Sequence, residues 1–245
     1  MLHSICTPVK NRTPHLRSTY IHNIEEGLRA ANNLEFILID LDSNDGMHEW
    51  VKTTLRPYVE DGTVKYYRAI GPWPIWNCSQ AFNVGMLTGT GDLLTNLHAD
   101  NLMSAAAYKE HQRLSANGDI VISPAIATGG KTKHFTGSCG LVTLTKTQFL
   151  DIGGYDERMI GWGYQDLDFA DRMKLLGHKW VPWTAETVSG IDHGHDLRAA
   201  HTEVPAHAGN LHNHKLSKEA IKAGQLRANA GKPWGDVPIE RVTKL

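Results

Sequence analysis

The sequence has little cysteine and almost no net charge. Its 245 residues include three cysteines, and none of them belongs to a CxxC pair. This spacing argues against a disulfide framework and against a cysteine-based zinc site, so we expect a reduced, cytoplasmic compartment. The formal net charge of −1 gives no strong overall field that would draw the chain to nucleic acid or to an anionic membrane.

Long apolar runs and internal repeats are also absent. No run approaches the roughly 20 apolar residues of a membrane span, and residues 1–12 show no basic-then-apolar signal pattern. What is present is a hydrophobic content of 41%, which is enough for a sizeable core. There are also 14 histidines, and they crowd between His178 and His214. We therefore expect a large domain without a transmembrane segment.

Strand-like and helix-like segments alternate in the first half of the chain. Residues 34–40 form an apolar run typical of a strand buried on both faces. Thr13 and Pro14 open a helical pattern, with Thr13 expected as the N-cap. Such alternation predicts a largely parallel sheet flanked by helices, whose ligands bind beyond the carboxyl ends of the strands. His98–Asn101 follows the fourth predicted strand and therefore lies at such an end.

The second half of the chain is less regular. Residues 164–178 predict a helix that ends at Gly177. Before it, Gly161-Trp162-Gly163 places an aromatic ring beside two carboxylates, Asp166 and Asp168. This arrangement suits a sugar ring stacked on Trp162 with a hydroxyl facing Asp166. The alternative is an acidic first helical turn stabilised by the helix dipole.

Six short segments occur in an informative order. From the N-terminus they are TPVKNR, AFNVGM, LTNLHADN, FTGSCGLVTLTKTQFLDIGGYDE, GWGYQDLDF and DHGHD. Together they resemble the GT-A glycosyltransferases, and among these the beta-1,4-galactosyltransferase-like branch and its bacterial relatives. The resemblance implies an α/β, Rossmann-like fold with a mostly parallel central sheet, flanking helices and a smaller acceptor-side subregion.

The resemblance covers residues 3 to about 200 and implies a single GT-A domain over 1–200. We expect a nucleotide-sugar half at 1–104 and an acceptor half, which includes the metal-binding histidine, at 105–200. Residues 201–245 are expected as a polar, basic extension, because from Lys215 onward seven basic residues face three acidic ones.

The resemblance also assigns a donor pocket. Arg12 would pair with the diphosphate or the base, and Asp40 or Asp42 would lie near uracil and ribose. The residues themselves leave simpler alternatives open, since Arg12 could be a solvated neighbour of a helix cap and the two aspartates could be turn formers. The implied donor-pocket residues are Pro8, Arg12, Asp40, Asp42, Asn83, Gly85 and His98.

A divalent-metal motif is implied at the end of the fourth strand. Asp100 matches its last aspartate, whereas His98 replaces its first, which we interpret as a working variant. A histidine of DHGHD would complete the site, and we place His195 ahead of His193. Mn²⁺, or Mg²⁺, suits such a set of oxygen and imidazole ligands.

On the acceptor side, the resemblance makes Trp162 the stacking residue and Asp166 the general base. Tyr164-Gln165 replaces the Gly-Glu of the family, so the acceptor contacts are expected to differ. The remaining implied substrate contacts are Gly163, Gln165 and Trp76, and Trp76 belongs to a segment that could form a lid.

These features predict a metal-dependent glycosyltransferase that moves a hexose from UDP to an acceptor hydroxyl with inversion. Two other readings stay open: a sugar-nucleotide hydrolase or nucleotidyltransferase on the same fold, and a non-catalytic binding module. A glycan, glycolipid or protein acceptor is favoured over a modified base in phage DNA.

Overall fold

The computed structural model describes residues 1–73, 75–124, 140–184, 187–191, 202 and 204–245. Its strands are β1 (His3–Val9), β2 (Leu34–Asp40), β3 (Val64–Ala69), β4 (Leu93–Asn96), β5 (Asn101–Met103), β6 (Ile120–Ile122), β7 (Val142–Thr145), β8 (Trp180–Pro182), β9 (Val188–Gly190) and β10 (Ile239–Arg241). Within these ranges, eight strands form one central sheet in the order β10-β3-β2-β1-β4-β7-β6-β8, and β5 pairs with β9.

Most helices in the described part of the chain lie where the periodicity of the sequence predicts them. A turn of π-helix at Val51–Leu55 joins α2 to α3, so that the helix predicted over residues 45–59 is continuous in space. The helices are α1 (Thr13–Ala30), α2 (Met47–Trp50), α3 (Arg56–Glu60), α4 (Cys78–Thr88), α5 (Ala105–Ala116), α6 (Lys146–Ile152), α7 (Gln165–Leu175) and α8 (Ala206–Lys222).

The α/β expectation is confirmed. Strands β1, β2, β3 and β4 pair in parallel, as their apolar runs predict. Strand β7 then inserts antiparallel between β4 and β6, which explains why the alternation of strand and helix weakens there. The parallel pairing brings the carboxyl ends of β1, β2 and β4 to one edge of the sheet, where the candidate site lies.

The start of α1 differs in detail from the expectation. Thr13 is the first helical residue, and Arg12 occupies the N-cap position without a side-chain cap. A carboxylate from another segment takes over the capping, because Asp45 accepts bonds from the Thr13 amide at 2.8 Å and from its hydroxyl at 2.6 Å. Asp45 thus ties the start of α1 to the loop that follows β2.

The C-terminal segment, expected as an extension, contributes regular structure to the domain. Helix α8 packs against α7, and β10 adds an antiparallel edge strand to β3. The Val242 amide bonds the Tyr66 carbonyl at 2.9 Å and thereby continues this pairing. Within the described part of the chain, no helix is long and apolar enough to cross a bilayer.

A chain of polar side chains runs through the core. His3 Nε2 lies 2.7 Å from the Thr95 hydroxyl, which lies 2.6 Å from that of Thr143, and His111 Nδ1 completes the chain at 2.8 Å. Burial lowers the pKa of His3 to about 3, with a contribution from His111, and lowers the pKa of His111 to about 4. Both rings are therefore neutral in the folded protein near neutral pH.

This row of hydrogen-bonded side chains makes the stability of the fold sensitive to acid. Unfolded histidine titrates near its ordinary pKa of about 6.5, so the contribution of each ring is complete above that value and is lost as the pH falls towards 4. At about pH 5, each ring should cost about 2 kcal/mol of the free energy of unfolding relative to neutral pH. His111→Asn, which keeps a polar atom at the Nδ1 position, should reduce this loss.

Urea unfolding of the wild type and of His111→Asn at both pH values measures the difference. An exposed-histidine control, His207→Asn, should show the pH dependence of the wild type. Equal slopes in His111→Asn and the wild type would contradict the assignment.

Candidate active site

Two sequence-predicted residues meet at the carboxyl edge of the sheet. A methyl group placed on Gly140 would lie 2.1 Å from His98 Cε1 and 3.1 Å from Asp166 Oδ1. His98 follows β4, and Asp166 belongs to the first turn of α7. The end of β4 and the start of α7 therefore converge on one point, and glycine at position 140 leaves the space between them.

The ring of His98 is held from two sides. It stacks on Phe82 of α4 with ring centroids 4.8 Å apart and an interplanar angle of 20°. Its Nε2 lies 3.2 Å from the Asn96 amide nitrogen, which also lies 3.3 Å from the Tyr155 hydroxyl. His98 is thus fixed in orientation by the strand that precedes it and by α4.

Asp166 carries a carboxylate oxygen without a hydrogen bond. Its Oδ1 is buried and has no partner among the described residues. Burial raises the pKa of the Asp166 carboxyl above its ordinary value, and the nearby His98 partly offsets this rise. Asp166 borders a small cavity, whose other lining residues are Ile122, Gly140, Leu141, Val142, Tyr155, Phe169 and Ala170. A raised pKa and an unused acceptor are the properties of a group that is available to take a proton.

The loop before α7 has an unusual backbone. Gly161, Gly163 and Tyr164 have φ values of 59°, 109° and 72°, in the left-handed region that favours glycine. Gln165 closes this loop on itself, because its Oε1 accepts from the Gly163 amide at 2.8 Å and its Nε2 donates to the Gly161 carbonyl at 3.1 Å. Trp162 is half-buried at the centre of the loop.

Gln165 was expected to contact the acceptor. It is buried, and both ends of its amide are occupied within its own loop. We therefore interpret Gln165 as a residue that shapes the backbone around Trp162. A direct contact of Gln165 with the acceptor stays a prediction.

The second carboxylate of α7 is structural. Asp168 and Arg172 are each 1% exposed and form an ion pair at 2.7 Å. Arg172 also donates to the carbonyls of Ile152 at 2.9 Å and Gly154 at 3.0 Å. The first turn of α7 thus directs Asp166 towards the candidate site and Asp168 into the core. The spacing of the two aspartates in the sequence did not distinguish these roles.

The donor side separates the two candidate aspartates. Asp40 is 1% exposed and accepts bonds from the Ser43 amide at 2.8 Å and the Tyr66 hydroxyl at 3.2 Å. The side chain of Asp42 is 47% exposed, and its Oδ2 lies 3.7 Å from the ammonium of buried Lys10. Asp42 is therefore the carboxylate that a ligand can reach, and Asp40 holds the loop that carries it.

Lys10 was missed in the sequence analysis. Its ammonium donates to the backbone carbonyls of Asp42 at 2.7 Å and Leu41 at 3.3 Å. The signal available in the sequence is a basic residue directly after β1, at the edge of the sheet where ligands are expected. A lysine there places a fixed positive charge under the candidate donor pocket.

Asn83 does not support the donor contact expected for it. It is fully buried, its Nδ2 donates to the Tyr155 carbonyl and to Glu157 Oε1, both at 2.9 Å, and its Oδ1 accepts from the Tyr155 amide. A methyl group on Gly85 would lie 3.1 Å from the ring of Pro8, and a role of Gly85 at the donor stays a prediction. Close approach of α4 to β1 therefore explains this glycine.

Two further candidates border the same region. The Trp76 indole donates to Cys78 Sγ at 2.9 Å, and its ring packs edge-on to Phe82 at 6.5 Å. Burial raises the pKa of the Cys78 thiol to about 12; Asp166 contributes to this rise, whereas Arg12 opposes it. Trp76 therefore contacts the start of α4, and the charges of Asp166 and Arg12 act on the Cys78 thiol there.

Comparison with known proteins supports this assignment of the fold. A family model described as the N-terminal domain of galactosyltransferase matches residues 125–196, which include the loop of Trp162 and the first turn of α7. The mannosyltransferase PcManGT from Pyrobaculum calidifontis, solved with GDP-Man and Mn²⁺, superposes with a TM-score of 0.53 at 16% identity over 75% of this chain. The chain has the GT-A glycosyltransferase fold.

A second GT-A structure covers more of the chain. TarS 1-349 from S. aureus, solved with UDP-GlcNAc, gives a TM-score of 0.60 at 10% identity over 94% of this chain and 74% of its own. The chain spans 55% of the length of the PcManGT chain and 59% of TarS 1-349 in a second crystal structure. No curated protein matches by sequence at a significant level.

In this GT-A fold, the expected metal motif is only partly described. Asp100 is 8% exposed, and its Oδ1 lies 3.3 Å from the Asn101 amide nitrogen. The described ranges contain no cluster of three residues that could hold a metal ion. His193 and His195, the expected imidazole ligands, lie outside the described residues. Of the expected metal ligands, the described residues thus include the Asp100 carboxylate, and the imidazole ligand would have to come from residues beyond Ile191.

The buried ion pair of the GT-A domain generates a stability prediction. Arg172→Met leaves Asp168 buried without its partner, so we expect a loss of about 3–5 kcal/mol in the free energy of unfolding. Lys174→Met is the matched control, because its ammonium lies over the Trp180 ring, 4.7 Å from the centroid, and not in the buried ion pair. Denaturant unfolding of the two variants gives the comparison, and a loss below about 1 kcal/mol in Arg172→Met would contradict the role of the pair.

Proposed function

We propose that the chain transfers a hexose from a nucleoside diphosphate sugar, UDP in preference to GDP, to an acceptor hydroxyl. The GT-A fold and the match to a galactosyltransferase domain support this reaction class. The observation that carries the proposal is the unpartnered Asp166 Oδ1 beside His98 at the carboxyl edge of the sheet. A buried carboxylate held at such an edge is suited to activate a hydroxyl.

Asp166 would act as the general base. An acceptor hydroxyl is a poor nucleophile until its proton is removed, and the buried Oδ1 has no competing hydrogen bond within the described residues. The raised pKa of its carboxyl brings it closer to neutral pH and makes it a stronger base. If this base acts opposite the leaving diphosphate, the anomeric centre is inverted.

Asp100 and a histidine of residues 193–195 would hold a divalent cation, which neutralises the charge of the leaving diphosphate when it is bound. The Ile191 amide bonds the Asp100 carbonyl at 2.8 Å, in continuation of the pairing between β5 and β9. His193 and His195 follow Ile191 by two and four residues in the sequence, and this closeness in sequence supports their assignment as ligands. Mn²⁺, or Mg²⁺, fits this ligand chemistry.

The donor would lie between Asp42 and the start of α4. Lys10 supplies fixed positive charge, and the Asp42 carboxylate accepts a bond from the Trp73 amide at 3.0 Å. This bond anchors the segment that carries Trp73 and Trp76 to the floor of the donor pocket. The segment is thus placed to cover a bound sugar and to exclude water, which would otherwise hydrolyse the donor.

The half-buried ring of Trp162 would stack on the acceptor. Aromatic rings beside a carboxylate suit the apolar face of a sugar, so we favour a glycan-type acceptor over a nucleic acid. The free, buried state of Cys6 and Cys78 fits a reducing, cytoplasmic location.

A donor panel tests this proposal. UDP- and GDP-sugars are incubated with Mn²⁺, with and without p-nitrophenyl glycosides as acceptors, and nucleotide release is measured. Release that rises with an acceptor supports transfer. Release that is independent of every acceptor indicates a hydrolase, and donor binding without turnover or metal dependence indicates a binding module.

Asp166→Asn tests the base. The variant keeps the shape of the side chain but cannot take a proton, so we expect transfer to fall by about 10²-fold or more while donor affinity is retained. Asp171→Asn on the same helix is the control and should keep most of the activity. Near-normal transfer by Asp166→Asn would remove this residue from the mechanism.

Substitutions at Asp100 and His98 test the metal motif. Asp100→Ala should abolish metal-dependent turnover, because it removes the carboxylate ligand. His98→Asp should retain metal-dependent turnover, because it restores the acid that the family motif carries. Mn²⁺ titration of donor turnover distinguishes the variants. The assignment is wrong if Asp100→Ala keeps its response to Mn²⁺ or if His98→Asp alone loses it.

A further inference from the structure

The loop around Trp162, which we call the acceptor loop and define as residues 160–164, needs support from outside itself. Three of its five residues have left-handed φ values, which leave its backbone groups out of register with any regular hydrogen-bonding pattern. Gln165, the next residue in the chain, hydrogen-bonds two of these groups, the Gly163 amide and the Gly161 carbonyl. Further contacts come from α8, a segment about 50 residues further along the chain.

Asn213 of α8 makes three hydrogen bonds to this loop. Its Oδ1 accepts from the Ile160 amide at 2.9 Å, and its Nδ2 donates to the carbonyls of Ile160 and Gly163, both at 2.8 Å. The residue is fully buried. Asn213 therefore hydrogen-bonds the backbone of the loop on both sides of Trp162.

The same face of α8 touches the backbone of Trp162 itself. A methyl group on Gly209, one turn before Asn213, would lie 3.0 Å from the Trp162 carbonyl oxygen and 3.2 Å from that of Ile160. On the other side, a methyl group on Gly163 would lie 2.6 Å from the Asn210 amide nitrogen. Helix and loop are thus in backbone-to-backbone contact, and the position of α8 sets the position of the Trp162 ring.

From these contacts we infer that α8 is the template of the acceptor loop and that Asn213 is a positioning residue for acceptor recognition. The inference rests on the proposed function for the role of Trp162 as the acceptor-stacking ring. Asn213 does not touch substrate; it fixes the backbone on both sides of Trp162, four residues before Asp166 in the chain. A shift of the ring should weaken the acceptor and leave the donor half of the site unchanged.

Asn213→Asp tests the inference with little change of shape. The carboxylate can still accept from the Ile160 amide but cannot donate to the two carbonyls. Two readouts are needed: the indole resonance of Trp162 in ¹⁵N-tryptophan-labelled protein, assigned with Trp162→Phe, and steady-state kinetics with the p-nitrophenyl glycoside that the donor panel selects. The Trp162 resonance should shift, and the acceptor KM should rise about tenfold or more while donor hydrolysis stays within about twofold.

A second variant covers the case in which Asn213→Asp does not fold. Gly209→Ala adds a methyl group against the Trp162 carbonyl, while alanine is the better helix former. It should move the same resonance and raise the same KM. Ser217→Ala is the matched control, because Ser217 lies one turn further on the buried face and its hydroxyl has no partner among the described residues. It should change neither readout.

The outcomes separate the inference from the proposed function. An unmoved Trp162 resonance in both α8 variants would overturn the positioning role. A parallel fall of acceptor transfer and donor hydrolysis would overturn it as well. If no acceptor stimulates the wild type, the proposed transfer fails, yet the resonance still reports whether α8 sets the loop. A shifted resonance with an unchanged acceptor KM would show that the loop does not recognise the acceptor.

Discussion

The buried amide of Asn83 joins the two halves of the candidate site. It binds both backbone groups of Tyr155 and the carboxylate of Glu157, and so fixes α4 to the loop that precedes the acceptor region. An amide that uses its donors and its acceptor inside the protein is costly to break, because each group would be left buried and unpaired. The distance between the donor side and the acceptor side therefore depends on this contact.

A column of packed aromatic rings connects the Asn83 contact to His98 and to the helix that carries Asp166. Tyr155 stacks on Phe169 of α7 at 4.6 Å and packs against Phe82 of α4 at 5.1 Å, and Phe82 in turn stacks on His98. Because aromatic rings in a packed core have few alternative arrangements, this column fixes His98 against the first turn of α7. A histidine at this position also places less negative charge beside Asp166 than the aspartate of the family motif would.

The C-terminal segment adds a second connection between the same parts of the site. Asn229 donates to the carbonyls of Gly153 and Tyr155, and the Gly235 amide donates to Glu157, the same carboxylate that Asn83 binds. The same segment also pairs β10 with β3 at one end of the sheet, and its helix α8 binds the loop of residues 160–164. One continuous segment thus contacts both sides of the site, so its packing and the geometry of the site are coupled.

The sequence by itself determined the parallel β1–β4 core, the placement of α1 and α7, and the position of His98 at the carboxyl end of β4. Local apolar periodicity and short motifs specify these features, because both act over a few neighbouring residues. Only the tertiary structure decided that Asp40, Asn83 and Gln165 are held by internal hydrogen bonds, whereas the side chain of Asp42 is 47% exposed. These side chains differ in what surrounds them rather than in their own chemistry. Burial and hydrogen-bond partners come from segments far apart in the chain, so no local pattern could distinguish a ligand-binding amide or carboxylate from one that holds the fold together.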